Sequence, residues 1–160
     1  MMNKNVVDHE MYAAILREEL LLAMGCTEPV AVAYAAACAR SLLPSGTMPE
    51  SCVLYVSGNI IKNVKSVVVP NTDGMHGLEA AAAVGIAGGD EKAGLQVIAN
   101  VTQEKSAAAR RLLENCRFTV CPARNDKVFY IEVRLQAGAE ETGAVIEDFH
   151  TNLTRWERNH

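Results

Sequence analysis

The feature that most constrains this chain is residues 28–43, which read Glu-Pro-Val-Ala-Val-Ala-Tyr-Ala-Ala-Ala-Cys-Ala-Arg-Ser-Leu-Leu. Apolar side chains occupy nearly every position, so a helix here has no polar face to give to water and must lie at the centre of the fold. The five residues before and at its start, Gly25-Cys26-Thr27-Glu28-Pro29, form a helix-start signal. Thr27 is the expected N-cap, and Glu28 and Pro29 suit the first turn. Gly25 closes a preceding helix expected over 9–24, with Asp8 as its cap and Tyr12, Ile15, Leu16, Leu20 and Ala23 as its buried stripe.

Beyond Gly46 the period changes to two. Cys52, Leu54 and Val56 alternate with Val53 and Tyr55 and predict a strand that stops at Ser57-Gly58-Asn59. A second extended run, 65–69, leads into the turn Pro70-Asn71-Thr72-Asp73-Gly74. An Ala-rich helix is expected over 78–84. The segment 94–98 reads equally as strand or short helix, and Thr102 caps a helix over 103–115. A strand over 117–121 is expected to pair as a hairpin with the clearest strand of all, where Phe129, Ile131, Val133 and Leu135 face one way and Tyr130, Glu132, Arg134 and Gln136 the other. A last strand begins near Ala144 and runs into His150-Thr151-Asn152. The irregular grouping predicts an α+β fold: one domain over 1–160, with Ala-rich buried helices on a small, mixed, largely antiparallel sheet.

Composition narrows the partners. A net charge of −4, 5% aromatics and no basic cluster longer than Arg110-Arg111 argue against nucleic acid. The apolar run 29–39 falls well short of the roughly 20 residues that span a bilayer, so no membrane partner is expected. Five scattered cysteines, with no Cys-x-x-Cys pair, make neither a disulfide framework nor a local metal-ligand set. A cytoplasmic setting fits them.

Three groups of residues can carry chemistry. Cys26 sits before a helix N-terminus, where unpaired N–H groups lower a thiol pKa, although Glu28 beside it opposes a thiolate. It reads equally as a small side chain filling a helix–helix corner. Ser57-Gly58-Asn59-Ile60-Ile61-Lys62-Asn63 and Pro70-Asn71-Thr72-Asp73-Gly74-Met75-His76-Gly77 are dense in groups that bind a small polar ligand. Lys62 is placed to meet a carboxylate. Ordinary turn chemistry and a solvated lysine explain the same residues. His150, Thr151 and Asn152 form the third group. No Gly-x-Ser-x-Gly elbow, dinucleotide fingerprint or P-loop occurs.

Together these segments resemble the N-terminal portion of L-cysteine desulfidases and the iron–sulfur L-serine dehydratase alpha-chain-like proteins. The resemblance implies a lyase that eliminates sulfide or water from a small amino acid, L-cysteine or L-serine, with no pyridoxal phosphate and with a [4Fe-4S] cluster as Lewis acid. It makes Cys26 the proton acceptor and Thr27, Glu28, Ser57, Asn59, Lys62, Asn63, Asn71, Thr72, His150, Thr151 and Asn152 substrate contacts. The cluster ligands would lie on a missing C-terminal portion or second subunit. The expectation is therefore a fragment or subunit inactive alone, binding no metal itself, with association into a homo-oligomer open to it. The alternative from the residues is a stand-alone, non-catalytic amino-acid-binding or regulatory module.

Overall fold

The computed structural model describes residues 9–20 and 25–159. The fold is α+β: five α-helices, a 3₁₀ helix and one five-stranded mixed sheet among the described residues. The helices are α1 (His9–Glu19), α2 (Thr27–Ser41), α3 (Gly58–Val64), α4 (Leu78–Gly88) and α5 (Gln103–Asn115), with the 3₁₀ helix at Glu91–Gln96. The strands are β1 (Ser51–Val56), β2 (Arg117–Pro122), β3 (Tyr130–Ala137), β4 (Glu140–Glu147) and β5 (Leu153–Arg158), in the order β2-β1-β3-β4-β5. Only the β1/β2 pair is parallel.

The sheet divides the molecule by the period of two. Cys52, Leu54 and Val56 of β1, with Ile131, Val133 and Leu135 of β3, are fully buried. Ala144 and Ile146 of β4 continue that surface, and α2 lies across β3 and β4 on it. In α2 every residue from Pro29 to Ala39 is buried except Tyr34, as an all-round apolar helix requires. Helix α4 packs beside α2, and α5 beside α4. Their approach is set by Gly85, since a Cβ there would stand 2.1 Å from the Ala33 carbonyl oxygen. Small residues bring the two backbones together. Thr102 caps α5 as expected, its hydroxyl accepting the Lys105 backbone N–H.

Several expectations need correction. The strand over 117–121 forms, but β1 lies between it and β3, so β2 and β3 are not a hairpin. Once α5 returns the chain over the sheet, a parallel partner for β1 is the available edge. The run 65–69 contributes one bridge, Val68 with His76, rather than a strand. The segment after Ser57 is not a strand end alone but helix α3, and 91–96 is a 3₁₀ turn. The last strand is two strands, β4 and β5, and His150-Thr151-Asn152 is the turn between them. Helix α1 ends at Glu19, and its stripe is exposed: Tyr12 53%, Ile15 47%, Leu16 54% and Leu20 68%. Asp8 and Ala23 lie outside the described residues.

Candidate functional site

Gly25 turns the chain into α2 with φ +72°, and a Cβ on it would press on the Pro70 ring at 3.3 Å. Glycine thus allows the two sequence segments to meet. The N-cap of α2 is Cys26, not Thr27, and no side chain caps the helix. The Cys26 thiol instead donates to Glu28 Oε2 at 3.1 Å, and the Thr27 hydroxyl lies 3.4 Å from the same oxygen. Starting the helix one residue early places Thr27 in the first turn, where its hydroxyl meets Glu28.

His150 completes the group. Its imidazole is close enough to Glu28 to favour the carboxylate. The ring packs on Phe129 with centroids 4.5 Å apart, and Nε2 is buried without a hydrogen-bond partner among the described residues. Behind this group the Pro70 loop is tied down by Asn71, whose Nδ2 donates to the Ile98 carbonyl at 3.0 Å. A hollow of about 590 Å³ is lined by Leu20, Lys92, Ala93, Gly94, Leu95, Gln96 and Thr151, the last being the chain neighbour of His150.

The electrostatics reverse one expectation. Burial, then the hydrogen bond and charge of Glu28, raise the Cys26 thiol above its ordinary value. The Glu28 backbone N–H pulls the other way, which is the expected helix-end effect, but it loses. Reciprocally, the Cys26 hydrogen bond holds the Glu28 carboxyl below its usual range, with His150 and Thr27 assisting. At neutral pH the proton rests on sulfur.

The structure gathers only some of the residues expected as ligand contacts. Cys26, Thr27, Glu28 and His150 form one cluster, with Thr151 on the hollow beside it. Ser57 is 5% exposed and holds the strands together, donating to the Val128 carbonyl and accepting the Tyr130 N–H. Thr72, 1% exposed, donates to the Val69 carbonyl at 2.6 Å, and Asn152 donates to the Glu147 carbonyl. Asn59, Lys62 and Asn63 stand exposed on α3, with no hydrogen bond linking them to the cluster. Among the described residues no three His, Cys, Asp or Glu side chains are arranged to hold a metal ion. No helix among them is long and apolar enough to cross a membrane.

The chain is similar to UPF0597 proteins. One from Dichelobacter nodosus is 46% identical over 153 residues, covering 96% of this chain and 34% of that protein. Others from Desulfitobacterium hafniense and Fusobacterium nucleatum are 45% and 42% identical, each covering 94% of this chain and 35% of the relative. The chain thus spans about a third of the length of the curated relatives it matches. No family model matches it. These relatives correct the resemblance to L-cysteine desulfidase and L-serine dehydratase, because proteins alike over nearly the whole chain carry a different designation that prints no reaction. The lyase, iron–sulfur and lyase-fragment readings fall with it, and the [4Fe-4S] expectation had only that resemblance behind it. A stand-alone binding module gains nothing specific from these names either.

Proposed function

We propose that Cys26, Glu28 and His150 form an acid–base centre that exchanges a proton with a small polar substrate admitted through the neighbouring hollow. The observation that carries this reading is the 3.1 Å thiol–carboxylate hydrogen bond at the start of α2, near an imidazole that favours the Glu28 carboxylate and whose buried Nε2 has no hydrogen-bond partner among the described residues. Buried polar atoms are nearly always satisfied, so an orphan nitrogen near a hydrogen-bonded thiol–carboxylate pair supports a functional reading of this end of α2.

Cys26 is the group that touches substrate. With its proton on sulfur, its first act is donation to a substrate atom gaining negative charge. The thiolate left behind faces the Glu28 carboxylate, which makes it a strong base. It then takes one proton back, from substrate or water, so the cycle returns to its start. Glu28 orients the thiol, and His150 favours the Glu28 carboxylate. Five free cysteines among the described residues suit a reducing compartment such as the cytoplasm.

Solvent-deuterium exchange into a panel of small amino and organic acids, followed by proton NMR, tests the proposal. Exchange is expected for at least one compound, with Cys26→Ala slowing it about 100-fold or more. No exchange with any compound, or exchange that Cys26→Ala retains, overturns it.

A further inference from the structure

The face of the sheet away from α2 carries a polar construction that the Cys26 site does not use. The strand register sets Cys121, Tyr55, Glu132, Val145 and Arg155 in one cross-strand row. Arg134 lies in the next row along and stacks over the Tyr55 ring, its guanidinium carbon 5.3 Å from the centroid. Glu132 is held on three sides: the Tyr130 hydroxyl donates at 2.7 Å, Arg134 Nε at 2.8 Å and Arg155 Nη2 at 3.1 Å. Its side chain is 10% exposed, so these bonds fix a charged framework rather than a solvated surface pair.

Above this framework lies a hollow of about 630 Å³, closed on one side by the segment Pro122, Ala123, Arg124 and Asn125. That volume is in the range of small-molecule sites. Backbone pairing fixes the wall, since the Ala123 N–H donates to the Val56 carbonyl. Two guanidinium groups line the hollow. Arg134 spends only Nε on Glu132 and is partly charge-compensated by Glu141, yet its terminal amino groups bond no protein acceptor among the described residues. Arg124 makes no hydrogen bond or ion pair among those residues, and it is exposed.

We infer that this hollow binds a small organic anion, its carboxylate or phosphate oxygens taken by the open edges of Arg124 and Arg134 and its body resting on Tyr55 and Tyr130. Planar guanidinium forks match either oxyanion in bidentate fashion, and pre-fixing Arg134 through Glu132 and Tyr55 lowers the entropy cost of the second bond. Glu132 is a positioning residue here. It aims Arg134 and neutralises the charge at the floor, so the rim alone selects for an anion.

Calorimetric titration of the 160-residue chain with inorganic phosphate, succinate and glycerol tests the site. Saturable binding is expected for phosphate or succinate, weakening as salt rises, and none for glycerol. Whichever anion binds tells the phosphate source from the carboxylate source. Arg124→Gln, at a side chain that holds nothing in the fold, should weaken binding about tenfold or more. Arg134→Gln should do the same, and circular dichroism checks that both variants stay folded. Absence of binding by both anions at about 10 mM, well above the millimolar affinities expected of one or two such bonds, overturns the inference. Binding that neither substitution weakens also overturns it.

Discussion

The two faces of the sheet use the same strands for opposite ends. On the covered face Leu54, Val133 and Ile146 are fully buried in one apolar core with the Ala-rich helices. On the open face Tyr130, Glu132, Arg134 and Arg155 build a hydrogen-bonded network, with Arg134 stacked over Tyr55, and no helix of the described residues lines the hollow above it. One residue of register separates them, so strand alternation alone decides which side chains hold the fold and which remain free to bind. The Cys26 cluster is a third case. It lies at the end of the covered layer, where the most buried helix begins and a half-buried thiol meets a charged partner.

The covered face should be the fragile one. Replacing Gly85 by Val drives side-chain atoms into the Ala33 backbone, which cannot move aside without parting α2 from α4. A loss of about 4 kcal/mol or more is expected, read by urea denaturation. Leu54→Ala, which opens a cavity in the sheet's buried surface, should cost about 3 kcal/mol. Glu132→Gln on the open face should cost about 1–2 kcal/mol, because the amide oxygen still accepts from an arginine while the Tyr130 hydroxyl turns to accept the amide N–H. If Glu132→Gln proves as damaging as Leu54→Ala, the division between the faces fails.

Alkaline pH offers a milder contrast. Burial pushes the Cys38 and Cys116 thiols up to about 11 from an ordinary 9.0. A raised folded-state pKa means stability fully present below pH 9 and lost as pH climbs through 11. Melting temperature should therefore fall across that window, and by less in the Cys38→Ala/Cys116→Ala double variant relative to its own value at pH 8.

Much of the covered face was legible in the sequence. The apolar helix at 28–43, the alternation of β1 and β3 and the Thr102 cap each rest on local rules, and each is where expected. Strand order was not legible, because the pairing of β2 with β1 depends on where α5 delivers the chain and not on β2 itself. The α1 stripe had the spacing of a buried face, yet spacing says only that side chains share a face, not that anything packs on it. For the site, proximity of Gly25 to Pro70 and of Glu28 to His150 joins segments far apart in the chain. Ser57 and Thr72 carried polar groups at suggestive positions, but buried backbone carbonyls consume them. The open-face network left one trace, the polar row Tyr130, Glu132 and Arg134 opposite the apolar face of the same strand.

Cys26 holds its proton because partial burial and the neighbouring Glu28 carboxylate both disfavour the thiolate. The direct measurement is the pH dependence of alkylation at Cys26, followed by mass spectrometry of its peptide, in the native chain and in Glu28→Gln. The account predicts a midpoint above the roughly 8.5 of a free thiol, moving down when the Glu28 charge is removed. A midpoint at or below that value, unchanged by Glu28→Gln, would contradict it.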